Sequence, residues 1–129
     1  MIRVLVVDDH DLVRDEVSAA LTDAGGIEVV GTCVDGQQAV ERAQVIHPDV
    51  IVMDLSMPRL DGVEATRQIL GRDPEARVVI LTSATGGRRV NDARAVGAVD
   101  CVFKDADISQ VIEAVRRAAL PKFGVSATS

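Results

Sequence analysis

The stretch RVLVVDDHD, residues 3–11, indicates how the rest of the chain folds. Its first five residues form an apolar run that predicts a buried strand. The run stops abruptly at Asp8 and Asp9, which are followed by a histidine and by Asp11. Carboxylates are costly to bury without a partner, so this position requires something that compensates for their charge. The stretch therefore predicts a strand that carries a charged site at its carboxyl end.

Four more runs rich in Val and Ile follow at roughly even spacing. Their apolar residues are continuous rather than alternating, which is typical of parallel strands covered on both faces. The five predicted strands cover residues 2–7, 28–33, 49–54, 77–82 and 99–104.

Helical patterns occupy the intervals between these strands. The clearest helix starts are two capping-box patterns, Asp35-x-x-Gln38 and Asp61-x-x-Glu64, whose side chains can bond the free backbone N–H groups of a first turn. Strict alternation of strand and helix predicts an α/β fold with a parallel sheet between two helix layers. The predicted helices cover residues 10–24, 35–46, 61–71 and 87–96, and a fifth begins near 108.

Five such units match by analogy the flavodoxin-like (βα)₅ doubly wound fold, with strand order 2-1-3-4-5. In that order the carboxyl ends of strands 1 and 3 are neighbours, and ligands bind in the crevice beside them. The fold class therefore predicts where the functional residues converge.

Composition excludes several classes of function. The formal charge is −6, with 20 acidic against 14 basic residues, so the domain repels nucleic-acid backbones. Two Phe and no Tyr or Trp provide no platform for base stacking. Cys33 and Cys101 fall on opposite edges of the predicted sheet, which predicts neither a disulfide nor a zinc site. Without a signal peptide or a membrane-spanning run, a cytoplasmic protein with no membrane contact is expected.

Three carboxylates are predicted to meet at the crevice. Asp8 and Asp9 follow strand 1, and Asp54 ends strand 3 in VMDLSMPRLDG. Two such charges about 4 Å apart repel by roughly 4 kcal/mol at an effective dielectric constant near 20. The cluster must therefore hold protons or a cation, and oxygen ligands of this kind favour Mg²⁺, with Mn²⁺ as an alternative.

A hydroxyl and an ammonium complete the predicted site, because Thr82 ends strand 4 and Lys104 ends strand 5. Each residue taken singly has an ordinary interpretation: a helix cap for Asp8 or Asp9, and a solvated strand end for Thr82 or Lys104. Together with a metal they would bind a tetrahedral oxyanion beside Asp54. A carboxylate there can act as a nucleophile and form an aspartyl phosphate.

Four stretches of the sequence resemble a known protein family. VLVVDDHDLVR, PDVIVMDLSMPRLDG, VVILTS and, more loosely, GAVDCVFKD resemble the receiver domains of response regulators in two-component signalling. The DDH and KD elements are similar to those of the NarL/FixJ (LuxR-type) subfamily. The resemblance covers about residues 1–118, and leaves 119–129 as a tail or linker toward a C-terminal DNA-binding domain.

The resemblance implies a chemistry for the carboxylates. Asp54 would accept a phosphoryl group from the phosphohistidine of a sensor histidine kinase. Asp8, Asp9 and Asp54 would hold Mg²⁺ together with the backbone carbonyl of Ser56. The domain would assist its own phosphorylation and dephosphorylation without being a conventional enzyme. It would form a homodimer on activation, and would contact DNA only through the C-terminal domain.

The resemblance also assigns the remaining positions. Thr82 would bond a phosphoryl oxygen and Lys104 would pair with it, while Ser56 and Ala84 occupy positions that tune hydrolysis. Cys101 stands where the family usually has the aromatic residue of the switch. This departure motivates an alternative function, a receiver-like dimerisation module with weakened or phosphorylation-independent switching.

Other interpretations concern the phosphatase class and the remaining charged residues. An aspartate-nucleophile phosphatase of the dehalogenase-like class would carry D-x-D after its first strand, where this chain has D-D-H-D. His10 is interpreted as a helix-start residue rather than a metal ligand. The pairs Arg88-Arg89 and Arg116-Arg117 are interpreted as solvated helix faces.

Overall fold

The computed structural model describes residues 1–57, 59–83 and 87–120, and these contain five strands that alternate with five helices. The strands are β1 (Ile2–Val7), β2 (Ile27–Cys33), β3 (Val50–Asp54), β4 (Arg77–Thr82) and β5 (Asp100–Phe103). The helices are α1 (Asp11–Asp23), α2 (Gly36–Ile46), α3 (Gly62–Arg72), α4 (Gly87–Ala95) and α5 (Ile108–Ala118).

The sheet is parallel, in the order β2-β1-β3-β4-β5, which confirms the predicted doubly wound topology. Every residue of the central strand β3 is buried. The edge strand β2 differs, because Glu28 and Thr32 are exposed on it. The expectation that all five strands are covered on both faces is therefore wrong at both edges of the sheet, because Phe103 on the other edge strand, β5, is exposed as well.

Two apolar cores lie on opposite faces of the sheet. Alternate residues of a strand point to opposite faces, so Leu5 and Val7 of β1 pack on one side, and Val4 and Val6 on the other. The first core includes residues of α2, α3 and α4, and the second includes residues of α1 and α5. Covering both faces with helices buries the sheet and leaves the carboxyl ends of its strands as the place for a site.

Both predicted capping boxes have the expected N-cap. Asp35 Oδ1 accepts from the backbone N–H of Gln38 at 2.8 Å, and Asp61 Oδ1 accepts from that of Glu64 at 3.0 Å. In a capping box the third helical residue also accepts from the backbone N–H of the N-cap residue. Gln38 Oε1 instead accepts from the backbone N–H of Val34, one residue earlier, at 3.1 Å. Glu64 instead pairs with side chains further along α3. The caps nevertheless place the starts of α2 and α3 beside the carboxyl edge of the sheet.

Two sequence-based expectations concern cysteines and membranes. Cys33 on β2 and Cys101 on β5 lie on the two edges of the sheet and are both free, as predicted.

Across the described part of the chain, no helix is both long and apolar enough to cross a membrane.

Candidate functional site

Two buried carboxylates meet at the carboxyl edge of the sheet. Asp8 follows β1 and Asp54 ends β3, and they are only 1% and 2% exposed. Asp9 is more accessible, with 31% of its side chain exposed. Ligand atoms of these three residues and of His10 all lie within 4.8 Å of one another. The structure thus brings together the three carboxylates that the sequence predicted to converge.

Lys104 lies between the two buried carboxylates. Its Nζ is 3.1 Å from Asp8 Oδ2 and 3.3 Å from Asp54 Oδ1. The residue directly follows β5, and its backbone N–H donates to the carbonyl of Thr82 at 2.7 Å. Thr82 itself is buried at the end of β4. The structure therefore joins Lys104 to Asp8 and Asp54, and places Thr82 beside Lys104 through the backbone.

The charges of this crevice are coupled. The pKa of Asp54 is raised to about 6, first by burial and then by the neighbouring carboxylate of Asp8, while Lys104 and the backbone N–H of Ser56 partly offset the rise. Burial also disfavours the charged form of Lys104, but its bonds and ion pairs with the two carboxylates outweigh that cost and raise its pKa. Asp54 is therefore ionised near neutral pH and protonated in mild acid.

One oxygen of Asp54 is left unengaged. Oδ1 lies near Lys104 and accepts from the backbone N–H of Ser56 at 3.4 Å. Oδ2 is buried, and no described residue donates a hydrogen bond to it. A buried carboxylate oxygen without a partner is costly unless a cation or a reacting atom binds it. The all-oxygen carboxylate set therefore fits a hard divalent cation.

His10 is the N-cap residue of α1, which confirms its place at the helix start. Its backbone N–H donates to Asp8 Oδ1 at 2.9 Å. Its ring Nδ1 also lies 3.1 Å from Asp8 Oδ1 and 3.2 Å from Asp9 Oδ1, a proximity that the sequence did not predict. Arg14 on α1 donates to the backbone carbonyl of Asp8 at 2.9 Å and helps to place this loop.

Gly62 packs against the end of β3 at a position that leaves no room for a side chain. A Cβ at Gly62 would lie 2.2 Å from the carbonyl oxygen of Asp54 and 2.7 Å from Cα of Leu55. Without it, the backbone N–H of Gly62 donates to the carbonyl of Leu55 at 2.9 Å. The capping pattern predicted the neighbouring Asp61 as a cap, whereas this requirement for glycine was not predicted, although the Asp-Gly pair was the available signal.

Three of the four arginines interpreted as solvated have specific partners. Arg89 on α4 reaches the segment that follows Asp54, through contacts with Leu55, Ser56 and Asp61. On α5, Arg116 donates to the carbonyls of Ala24 and Gly25, and Arg117 pairs with Asp100. Arg116 and Arg117 are exposed as predicted, but their contacts with other elements were not predicted; Arg89 is only partly exposed, because its side chain reaches across to the segment after β3. Arg88 is exposed, as predicted.

Cys101, at the position of the family's switch residue, is half-buried and packs against the core formed with α2, α3 and α4. Burial raises the pKa of its thiol, an effect that Asp100 increases and Arg94 reduces. Phe103 is exposed and lines a surface depression with Val13 and Ile108, on the side of α1 and α5. Ala84, the predicted rate-tuning position, lies outside the described residues, as do residues 121–129 of the predicted tail.

Comparison with known proteins agrees with this geometry. The response regulator receiver domain model matches residues 4–116. Response regulator GacA of Pseudomonas viridiflava is 39% identical over 116 residues, which are 90% of this chain and 54% of that protein. A protein-glutamate methylesterase/protein-glutamine glutaminase of Alkalilimnicola ehrlichii is 45% identical over 119 residues, 90% of this chain but 30% of that protein.

A similar solved structure is that of a LuxR-family two-component response regulator from Aurantimonas sp. SI85-9A1. It superposes with a TM-score of 0.86 at 32% identity, covering 91% of this chain and 84% of that one. These matches show that the chain belongs to the response regulator receiver domain family.

Within that family, the relatives agree with a receiver domain of the NarL/FixJ type in two-component signalling. These relatives support the receiver domain of a two-component response regulator, and none of them favours the atypical dimerisation module. The chain spans about half the length of the GacA regulator that it matches.

Proposed function

We propose that this domain accepts a phosphoryl group onto Asp54 from the phosphohistidine of a sensor histidine kinase, with Mg²⁺ in the acidic crevice. The observation that carries the proposal is the state of Asp54. It is buried, ionised near neutral pH, and has one oxygen engaged and one without a partner. A carboxylate so arranged is an available nucleophile at a position where few solvent molecules compete.

The transfer balances without any further reagent. An oxygen of the Asp54 carboxylate forms a bond to phosphorus while the bond between phosphorus and the kinase imidazole nitrogen breaks. The electron pair of the broken bond stays on that nitrogen, which leaves as imidazole once it has taken a proton from solvent. Lys104, already beside Asp54, would pair with the transferred group, and the Thr82 hydroxyl would donate to one of its oxygens.

Asp8, Asp9, Asp54 and the backbone carbonyl of Ser56 are the groups that would hold the cation, with Mn²⁺ as an alternative to Mg²⁺. When bound, the ion would offset the negative charge of the phosphoryl oxygens. The partly exposed Asp9 leaves the crevice open on one side, which suits a cation that keeps water ligands. The domain would assist its own phosphorylation and hydrolysis without acting as a conventional enzyme.

The output would be a change of oligomeric state. We propose that residues 1–118 form the receiver domain and that 119–129 lead toward a C-terminal DNA-binding domain, through which a phosphorylated homodimer would regulate transcription in the cytoplasm. Two observations support this organisation. The chain spans about half of the GacA regulator, and its own charge of −6 disfavours DNA contact by the receiver itself.

Phosphorylation by a small-molecule donor tests the acceptor. Wild-type protein incubated with acetyl phosphate and Mg²⁺ should gain the mass of one phosphoryl group in intact-protein mass spectrometry, and Asp54→Asn should gain none. Asp105→Asn is a matched control, because it removes an exposed carboxylate next to Lys104 and should label like the wild type. Labelling of Asp54→Asn to the wild-type extent would overturn the assignment.

A further inference from the structure

Arg89 makes three polar contacts with the segment that follows Asp54. Its Nη2 donates to the carbonyl of Leu55 at 3.0 Å, and its Nη1 donates to Ser56 Oγ at 3.2 Å. Nη2 also lies 3.0 Å from Asp61 Oδ2. One guanidinium on α4 therefore contacts both ends of the segment between β3 and α3.

The direction of these hydrogen bonds restrains the segment more than the charge of Arg89 does. The ion pair with Asp61 is partly exposed on both sides, with 36% and 46% of the side chains accessible, so by itself it adds little stability. The carbonyl and hydroxyl contacts are directional and need the forked donor that only arginine provides. Arg89 thus restricts where Leu55 and Ser56 can lie.

Ser56 links this restraint to the acceptor. Its backbone N–H donates to Asp54 Oδ1, while its side-chain hydroxyl accepts from Arg89. The adjacent carbonyl of Leu55 is held twice, by Arg89 and by the backbone N–H of Gly62. A shift of the guanidinium would therefore move the backbone next to the carboxylate.

We propose that Arg89 is a positioning residue of the acceptor site: it holds the Leu55–Ser56 backbone in the orientation in which Ser56 completes the cation site with Asp54. This inference rests on the proposed magnesium site. Groups that orient metal ligands without touching the metal affect its affinity by about tenfold or more when they are removed.

The direction in which Mg²⁺ affinity changes when Arg89 is replaced distinguishes a positioning role from a purely electrostatic one. Loss of a positive charge near a cation site should strengthen Mg²⁺ binding, since like charges repel. Loss of a positioning contact should weaken it. Arg88 supplies the matched control, because it is the adjacent residue on α4, carries the same charge and is exposed.

The experiment is a titration of ¹⁵N-labelled protein with MgCl₂, followed through the amide signals of Asp9, Asp54 and Ser56. The dissociation constant of Arg89→Ala should rise about tenfold above the wild-type value. That of Arg88→Ala should stay equal or fall. Arg89→Lys, which keeps the charge and the fold but lacks the fork, should bind as weakly as Arg89→Ala.

Two results would overturn the inference. Magnesium binding by Arg89→Lys as tight as in the wild type would show that the forked guanidinium contacts are not required, and would decide the matter even if Arg89→Ala does not fold. Equal or tighter binding by a folded Arg89→Ala would also do so. A wild-type protein that binds no Mg²⁺ would overturn the proposed cation site, and the inference with it, and is a distinct outcome.

Discussion

The two ends of the sheet differ in what they bury. At the carboxyl edge, Asp8, Asp54 and Lys104 form a network of opposite charges around one unengaged oxygen. At the amino edge, a cavity of about 310 Å³ lies between the ends of α2 and α3. Its lining is mostly apolar and includes Ile51 and Ile69.

This difference between the two edges corresponds to two physical roles, stabilisation of the fold and chemical reactivity. Burial of apolar side chains stabilises the fold, at roughly 1.5–3 kcal/mol for a large side chain. Burial of like charges opposes folding and supplies reactivity instead. Substitutions of core residues at the amino edge should therefore lower stability without changing phosphorylation, whereas loss of a carboxylate at the carboxyl edge should abolish phosphorylation without lowering stability.

The largest expected effect on stability is at Ile51, which is fully buried in β3 beside the cavity. Ile51→Ala should lower the free energy of unfolding by about 3 kcal/mol, since it removes most of a fully buried side chain from the packed core. Urea unfolding followed by far-UV circular dichroism suits a chain without Trp or Tyr.

The matched variant Ile51→Val removes one methylene and should cost about 1 kcal/mol. Folded Ile51→Ala should still label with acetyl phosphate. The comparison between the edges would fail if this variant kept its stability, or if it folded but no longer accepted a phosphoryl group.

At the carboxyl edge, Asp54→Asn should increase stability while abolishing phosphorylation. The pKa of Asp54 is raised to about 6 from an ordinary 3.8, so the folded state binds the proton more tightly than the unfolded state. The carboxyl therefore stabilises the fold fully below pH 4, and this contribution is lost as pH rises through 6. In metal-free buffer at pH 7, Asp54→Asn should be about 1–2 kcal/mol more stable than the wild type.

The pH dependence of this stability difference tests the prediction. The stability difference between Asp54→Asn and the wild type should grow between pH 4 and pH 7 when both are unfolded with urea in EDTA. Asp105→Asn again serves as the control and should show no such trend. A difference that stays constant with pH would contradict the burial of an ionised Asp54.

The smallest expected effect is at the C-cap of α2. His47 adopts the left-handed conformation, with φ 53° and ψ 60°, which favours glycine. His47→Gly should therefore stabilise the fold by about 0.5–1 kcal/mol and leave phosphorylation unchanged. His47→Ala removes most of the same side chain but keeps the Cβ, so it should give no gain. Equal stability of the two variants in urea unfolding would refute this explanation.

Much of the fold could be predicted because its signals are local. The Val and Ile runs are strand patterns that need no distant partner to be recognised, and Asp35 and Asp61 cap helices within four residues of themselves. The exposed positions of β2 could not be predicted in this way, because an edge strand differs from a central one only in its neighbours.

The candidate site was predictable to a similar degree. Parallel strands bring their carboxyl ends to one edge, so Asp8, Asp54 and Lys104 had to meet once the strand order was assumed. Arg89 was missed because it resembles its neighbour Arg88 in sequence, and the two differ only in the direction that α4 gives to each side chain.

The sequence by itself determined the alternation of strands and helices and the acidic, hydroxyl and ammonium groups at the strand ends. These depend on side-chain type and short-range spacing. Only the tertiary structure decided that Lys104 lies between two carboxylates, that one oxygen of Asp54 is left without a partner, and that Arg89 reaches Leu55 and Ser56. Those features join residues more than thirty positions apart, and their distances depend on how whole elements pack rather than on any local preference.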